Sequence, residues 1–200
     1  MPPRARLRKS DRAIPDSAAA LDPDTQAALL AERIILDQLS RIRELPYERY
    51  CSDLLGLELS DGQRAIGRTI FDGARPHPDD ADRFFGGAIQ PDSFSLRVVA
   101  AICGRGSGKS KVFLAARALH LALRVALDGV SPNDPPSLVA IVAPSQRQSR
   151  QTVAFVRGYL EDRPLLKKIL KAECLADAIR ITRPDGKRVN IEARPATAGG

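Results

Sequence analysis

Three glycines in alternate positions, followed at once by a lysine and a serine, are the part of this sequence best suited to chemistry. They are Gly104, Gly106 and Gly108, with Lys109 and Ser110 behind them. Glycine allows positive φ angles, so such a loop brings backbone N–H groups close to an anion, and the N-terminus of a following helix adds a partial positive charge. A lysine at this place reaches the β- and γ-phosphates of a nucleoside triphosphate, and the serine hydroxyl binds Mg²⁺. The segment therefore predicts a triphosphate-binding loop.

The elements on either side of this loop are those that a phosphate-binding loop requires. The apolar, β-branched run 98–102 predicts a strand that ends at the loop, and the apolar pattern of 109–127 predicts a long helix that begins in it. The sequence departs from the pattern G-x-x-x-x-G-K-[ST] at one position, because Cys103 stands where the first glycine is expected. The alternative is a glycine-rich turn before an ordinary helix. That alternative leaves unexplained a lysine in the first helical turn, where the helix dipole disfavours a cation.

The residues after this helix continue the alternation of strands and helices. A continuous apolar run at 138–143 predicts a buried parallel strand, and Ser145 with Gln148 has the spacing of a capping box for the next helix. Strand, phosphate loop, helix, strand and helix make a βαβ unit. The predicted fold class is therefore α/β: an incomplete three-layer P-loop NTPase core of the RecA/ASCE type, with a parallel sheet.

The last part of the chain predicts a short helix and a hairpin. The helix is expected at 165–172, and Pro184-Asp185-Gly186 is a strong turn signal between two predicted strands, 178–182 and 187–193.

The residues upstream of the loop are expected to be mainly helical. Apolar residues at helical spacing predict helices at 24–45, 47–55 and 65–71, and Ser60 with Gln63 forms a possible capping box. The glycine- and proline-rich stretch 72–95 is interpreted as a connector. These patterns divide the chain into a disordered basic arm (1–20), an N-terminal helical region (21–95) and a partial P-loop ATPase core (96–200).

Composition narrows the class of protein and the kind of partner. The chain has 200 residues, a hydrophobic content of 44% that suffices for a core, and a net charge of +7 that favours a polyanionic partner such as nucleic acid. No apolar run is long enough to span a bilayer, and the basic N-terminus is not followed by the apolar region of a secretory signal. Three widely spaced cysteines favour a reducing compartment. His77 and His120 are expected to have surface or packing roles.

Three segments together resemble the N-terminal ATPase part of a phage terminase large subunit, the DNA-packaging motor. The basic loop 104–110 is the first, and Cys103 and Arg105 fit that family better than the general motif. The segment 59–64, Leu-Ser-Asp-Gly-Gln-Arg, resembles the family's adenine-recognition segment, and 142–150 resembles the segment after its second core strand. The similarity covers roughly residues 50–200.

The resemblance implies roles for residues at matching positions. Gln63 would hydrogen-bond the adenine edge, Lys109 would bind the β- and γ-phosphates, and Ser110 would hold Mg²⁺. Arg105 would stabilise the charge of the transition state, the alternative being a surface arginine on a mobile loop. The residues expected to bind ATP are Gln63, Gly104, Arg105, Gly106, Ser107, Gly108, Lys109 and Ser110, of which Lys109 and Arg105 are also expected to be catalytic.

The resemblance also implies partners and a place of action. It implies double-stranded DNA, a portal and a small terminase subunit as partners, a homo-oligomeric ring for the full-length protein, no membrane, and action in the host cytoplasm at the procapsid. The arginines between 147 and 157 are expected either to line a DNA path or to decorate a solvated helix face.

The acidic strand end that ATP hydrolysis requires has no clear counterpart in the sequence. Val189-Asn190-Ile191-Glu192 is the nearest approach after Gly108 and has the wrong residues. The nuclease domain of the family also has no counterpart here. We therefore expect an N-terminal fragment that binds ATP weakly and hardly hydrolyses it alone. The alternatives are another nucleic-acid-dependent P-loop ATPase, such as a helicase, and a non-hydrolysing ATP-binding module.

Overall fold

The protein is an α/β structure in which helices pack against a four-stranded mixed sheet. The computed structural model describes residues 30, 37, 40–87 and 107–196. The predicted arm 1–20, the predicted strand 98–102 and the first part of the glycine loop, up to residue 106, lie outside the described residues. Among the described residues, none of the helices combines the length and the hydropathy that a bilayer span requires.

Short helices precede the glycine loop, and their ends follow from local sequence. Residues 40–44 are helical. Helix α1 (Tyr47–Arg49) begins directly after Pro46 and continues as a π-helical turn, Tyr50–Leu54. Helix α2 (Asp61–Ile66) begins at Ser60 with the predicted capping box and continues as a second π-helical turn, Gly67–Phe71.

Helix α3 (Pro78–Phe85) corrects the prediction that 72–95 is only a connector. The glycine and proline signals mark its boundaries. Pro78 occupies the first helical turn, where its missing N–H costs nothing, and Gly86 ends the helix with φ of 67°. His77 caps the N-terminus with its side chain, which gives this exposed histidine the surface role that we predicted.

The helix that follows the glycine loop begins with an unusual geometry. Lys109–Ala116 is π-helical and passes directly into α4 (Arg117–Arg124). The helical stretch thus begins where the sequence predicts and ends before the predicted residue 127.

The sheet has the order β1-β4-β3-β2, built from β1 (Ser137–Ala143), β2 (Glu173–Cys174), β3 (Ala178–Thr182) and β4 (Arg188–Pro195). β1 pairs with β4 in parallel, whereas β3 pairs antiparallel with both β4 and β2. The described sheet is therefore mixed and not the parallel sheet expected of the core, and the antiparallel pair of β3 and β4 is the predicted hairpin. The tight turn at Pro184-Asp185-Gly186 joins β3 directly to β4, and so short a connection permits only an antiparallel pair.

β1 is parallel to its neighbour, as predicted, but it is not buried on both faces. Ile141 is 6% exposed, whereas Leu138 and Val142 on the opposite face are 48% and 58% exposed. Helix α4 and helix α5 (Gln146–Glu161) both pack against β1 and β4. The alternation shows that these two helices cover the face that carries Ile141.

The core lies between this covered face and the helices. Val153, Val156 and Leu160 of α5 are fully buried, at spacings of three and four residues, and they share one cluster with Ile179 and Ile191 of the sheet. Each such side chain contributes about 1.5–3 kcal/mol by its removal from water. A short helix, α6 (Pro164–Ile169), connects α5 to the hairpin and covers most of the predicted 165–172.

Two arginines clamp the hairpin turn to the end of α4. Asp185 in the turn accepts hydrogen bonds from Arg183, which is 2% exposed, and from Arg43, at 2.7 Å. Arg43 also donates to the Leu123 carbonyl, and Arg183 donates to the Val125 carbonyl, both at 2.9 Å. The carbonyls at a helix C-terminus lack helical partners, so the two arginines supply donors to groups that the helix itself leaves unpaired.

Candidate functional site

Gly108 supplies the backbone turn from which the helix of the predicted phosphate loop begins. Its φ is 79° and its ψ is 9°, in the left-handed region that favours glycine. Lys109 follows with an exposed side chain, and Ser110 is partly buried in the same first turn. The second half of the predicted loop therefore has the order and backbone shape that the sequence predicts. Gly104, Arg105 and Gly106 lie outside the described residues.

Gln63 contacts the end of the loop. Its side-chain nitrogen donates to the Ser107 carbonyl at 2.8 Å, across a separation of 44 residues. Its side-chain oxygen accepts from the backbone N–H of Ser60 at 3.0 Å, which completes the capping box of α2. Both ends of the Gln63 amide are thus engaged, and the two segments that sequence reasoning assigned to one nucleotide lie side by side.

An open cleft of about 410 Å³ adjoins this loop. On one side lie residues of the loop and of the π-helical segment, and on the other lie two residues of α5. Its lining residues are Ser107, Gly108, Lys109, Ser110, Lys111, Gln151 and Phe155. A cleft of this size lies within the range of small-molecule sites in proteins.

The groups around the cleft are suited to an anion. Lys109 and Lys111 are both exposed, and neither forms an ion pair with another residue in the described part of the chain. The Ser107 hydroxyl oxygen is buried and has no hydrogen-bond partner among the residues that the structure describes. A buried hydroxyl without a partner is costly.

Two tyrosines hold the π-helical segment from different sides. The Tyr159 hydroxyl on α5 donates to the Lys111 carbonyl at 2.9 Å, and the Tyr47 hydroxyl donates to the Val112 carbonyl. Burial, more than any neighbouring charge, raises the pKa of both tyrosines above the usual range. Both hydroxyls therefore stay protonated and act as donors at neutral pH.

His120 lies farther along the same helix, in a fully buried cluster with the rings of Tyr47 and Tyr50. Arg117 lies 2.5 Å from its Nδ1 and stacks over the Phe71 ring at 4.5 Å. Burial foremost, and then the charges of Arg117 and Arg124, lower the pKa of His120 to about 3. The histidine is therefore neutral at pH 7, in the packing role that we predicted.

Two of the three arginines on α5 have hydrogen-bond partners within the protein. The predicted alternatives, a DNA path and a solvated helix face, therefore do not describe these two side chains. Arg150 pairs with Asp177 at 2.7 Å, and Arg157 is partly buried and donates to the Leu175 carbonyl. Both partners belong to the segment that joins β2 to β3. Two of the three arginines thus fasten α5 to the sheet, and Arg147 is exposed.

Glu192, the nearest approach to an acidic strand end, lies in the middle of β4. It pairs with Arg194 at 2.7 Å and accepts from Asn190 at 3.3 Å. The hydrogen bond from Arg194 is the main reason why the pKa of Glu192 is lowered. Within the described residues, no group of three or more His, Cys, Asp or Glu side chains is arranged to hold a metal ion.

Sequence reasoning missed Gln151 and Phe155 as walls of the cleft. Both belong to an amphipathic helix in which an exposed glutamine and a partly buried phenylalanine are unremarkable. Their spacing of four residues places them on one face of α5, but only the packing of α5 against the π-helical segment brings that face to the loop.

Comparison of the chain with models of protein families, with curated proteins and with solved structures gave no match.

Proposed function

We propose that this chain binds ATP with Mg²⁺ as the N-terminal ATPase part of a viral DNA-packaging motor, a terminase large subunit that drives double-stranded DNA into a procapsid. The observation that carries the proposal is the hydrogen bond from Gln63 to the Ser107 carbonyl. It supports the proposal because it joins the two segments that, in the resembled family, contact the same nucleotide. A glycine-rich turn before an ordinary helix gives no reason for this contact.

The cleft offers what a triphosphate requires. Lys109 and Lys111 would neutralise part of the phosphate charge. Backbone N–H groups at the start of a helix add further donors and a favourable dipole.

Ser110 fits the predicted role in holding Mg²⁺. Its hydroxyl is a neutral oxygen ligand in the first helical turn, and it lines the cleft. Mg²⁺ prefers oxygen ligands and is commonly held by one or two protein groups together with substrate phosphates and water. When bound, the ion neutralises charge on the β- and γ-phosphates.

The lining of the cleft favours ATP binding over hydrolysis. No Asp or Glu is among the described residues that line it, and Glu192 is engaged by Arg194. Phosphoryl transfer to water uses a group that orients the nucleophile and a carboxylate that holds the metal. We therefore propose that these 200 residues bind ATP and turn it over very slowly. The same observation favours the second candidate function, a non-hydrolysing ATP-binding module.

DNA is the partner that the charge and the resemblance support. The net charge of +7 favours a polyanion, and we place the DNA contact outside the α5 arginines that are fastened to the sheet. The portal, the small subunit, the oligomeric ring and the cytoplasmic site of action remain part of the proposal through the family resemblance alone.

Titration calorimetry and thermal unfolding with ATP and Mg²⁺ test the proposed site. At an ATP concentration 100 times the Kd, binding to the folded state stabilises the protein by about 2.7 kcal/mol. Lys109→Ala is expected to abolish this stabilisation, and Lys168→Ala, an exposed lysine on α6, to preserve it. Equal stabilisation of both variants, or none of the wild type at millimolar ATP, would reject the proposal. ATPase assays with added double-stranded DNA separate the two candidates, since the slow turnover of a motor part should rise with DNA, whereas a non-hydrolysing module shows no turnover with or without DNA.

A further inference from the structure

A polar pocket of about 370 Å³ lies on the sheet face that α4 and α5 leave uncovered. Its strand residues belong to two cross-strand pairs of β3 and β4, Arg180 with Asn190 and Thr182 with Arg188. Leu138 of β1, which is exposed, lies beside Asn190 on the same face. The nucleotide cleft is lined by α5 on the other face, so the proposed function gives this pocket no role. The polar and charged residues that line the pocket are Lys171, Glu173, Arg180, Thr182, Arg188 and Asn190.

The pocket carries an excess of positive charge. Glu173 is the one carboxylate among the described residues that line it, and it pairs with Arg180 at 3.4 Å. Lys171 forms no ion pair within the described part of the chain, and Arg188 donates to the neutral carbonyl of Asp134 at 2.6 Å. Arg180 and Arg188 are diagonal neighbours on the strand pair, about 7–8 Å apart, so their charges repel each other. An anion between them would relieve this repulsion.

Lys171 has an unfavourable backbone conformation at the edge of the pocket. It follows the C-terminal turn of α6 with φ of 42°, and the N–H of Ala172 closes that turn by donating to the Lys167 carbonyl at 3.0 Å. Glycine is the usual residue at such a position, because a β-carbon disfavours positive φ. In the part of the chain that the structure describes, Lys171 is the only non-glycine residue with positive φ. The stability of the fold therefore does not explain a lysine here.

We propose that Lys171, Arg180 and Arg188 form a contact site for the phosphates of double-stranded DNA. The inference rests on the proposed function, because it takes double-stranded DNA as the partner and locates its contact on this chain. Duplex DNA carries one negative charge per about 1.7 Å of its axis. Arginine, lysine, threonine and asparagine side chains are common donors to phosphate oxygens, and all four types line the pocket.

The lining of the pocket favours duplex DNA over a single strand. Proteins that hold single-stranded nucleic acid use aromatic side chains on which the bases stack. No aromatic residue is among the described residues that line this pocket. Contacts to phosphates carry no sequence information directly, which suits a protein that moves DNA of any sequence.

Binding of a fluorescein-labelled DNA duplex, measured by anisotropy at several salt concentrations, tests the site. Each phosphate contact contributes about 0.9 to the slope of log K against log salt. We expect Lys171→Gln and Arg188→Gln each to lower this slope by about 1 and to weaken duplexes of different sequence equally. Lys168→Gln is the matched control, because Lys168 is an exposed lysine of α6 that does not line the pocket. Unchanged slopes in both pocket variants, or an equal decrease in Lys168→Gln, would overturn the inference.

Lys171→Gly separates the charge of this residue from its effect on the fold. Glycine relieves the positive φ, so we expect this variant to lose DNA affinity as Lys171→Gln does, with a urea midpoint no lower than that of the wild type. A lower midpoint together with unchanged DNA binding would contradict the assignment. Arg147→Gln tests the exposed arginine of α5, and a slope that decreases in this variant alone would place the DNA on α5 instead.

Two further outcomes separate this site from other ligands and from the nucleotide site. Inorganic phosphate that stabilises the wild type but not Arg188→Gln, without binding of the duplex, would assign the pocket to a free phosphate and refute the DNA contact. ATP binding without DNA binding refutes this site and leaves the nucleotide site intact. DNA binding through the pocket without ATP binding supports this site and refutes the proposed motor function.

Discussion

A β-carbon placed on Gly108 would lie 2.6 Å from the side-chain nitrogen of Gln63. Gly108 is therefore required twice, once for its positive φ and once for the close approach of Gln63 to Ser107. Gly129 separates the two requirements, because it shares only the first. Its φ is 83°, but nothing lies within 4 Å of its own β-carbon position.

Gly108→Ala is expected to destabilise the fold by about 2 kcal/mol, and Gly129→Ala by about 1 kcal/mol. Both variants force alanine into the left-handed region, but only the first displaces Gln63 from the Ser107 carbonyl. Urea unfolding measures the difference. In a Gln63→Ala background the excess cost at Gly108 should disappear, and a cost that persists there would show that the contact with Gln63 is not its cause.

Tyr159→Phe is expected to cost about 1 kcal/mol of stability, because the Lys111 carbonyl loses its donor. Tyr50→Phe is the control, since the buried Tyr50 hydroxyl has no partner among the described residues. Removing a hydroxyl of that kind should be neutral or stabilising. Chemical denaturation of the two variants gives the comparison, and a larger loss for Tyr50→Phe would contradict the assigned roles of the two tyrosines.

Stability is expected to fall as pH decreases from about 6.5 towards 3, in part because of His120. Its folded-state pKa is lowered to about 3 from 6.5, so in this window the unfolded chain binds a proton that the folded chain does not. The free energy of unfolding then declines by up to about 1.4 kcal/mol per pH unit from this residue.

The variant His120→Gln isolates this contribution. Glutamine keeps an acceptor for Arg117 and does not titrate, so the acid side of its stability profile should be less steep than that of the wild type. His77→Gln controls for an exposed histidine. Identical slopes for His120→Gln and the wild type between pH 4 and 6 would argue against a buried neutral histidine.

Asp185→Asn is expected to cost about 2 kcal/mol, because the buried guanidinium of Arg183 loses the charge that balances it. Glu173→Gln serves as the comparison. It breaks the pair with Arg180, in which both side chains are about 60% exposed, and such surface pairs contribute little. Thermal unfolding of both variants in low and high salt distinguishes a buried clamp from a screened surface pair.

Local sequence was sufficient for much of the fold. Pro184-Asp185-Gly186 correctly marked the hairpin, and Ser60 with Gln63 and Ser145 with Gln148 marked the starts of α2 and α5, because turns and caps depend on neighbours within a few residues.

The errors have two sources, a misinterpreted local signal and distant packing. Helix α3 was not recognised because its proline and glycine signals were interpreted as a loop and not as the two ends of a helix. The exposure of Leu138 and Val142 depends on which face the helices cover, and the Arg183 clamp depends on where α4 ends. The last two relationships are not encoded in the spacing of residues along the chain.

Some residues of the candidate site could be predicted from local sequence, and others depend on packing. Gly108, Lys109 and Ser110 were selected by a motif, since a phosphate-binding loop restricts both residue types and spacing, and the left-handed φ of Gly108 and the helix that begins at Lys109 agree with that motif. Gln151 and Phe155 carry no such signature, because only the packing of α5 against the π-helical segment brings them to the cleft.

The topology of the mixed sheet predicts the order in which its strand pairs form during folding. β3 and β4 are joined by a tight turn, so their pairing closes a small loop. The pairing of β1 with β4 closes a much longer loop, because α5, α6, β2 and β3 lie between them in the sequence. Closing a long loop costs more chain entropy and is slower. We therefore expect the pairing of β3 with β4 to form first and the pairing of β1 with β4 to complete the sheet. Amide protons of β4 that point to β3 should accordingly gain protection from exchange before those that point to β1.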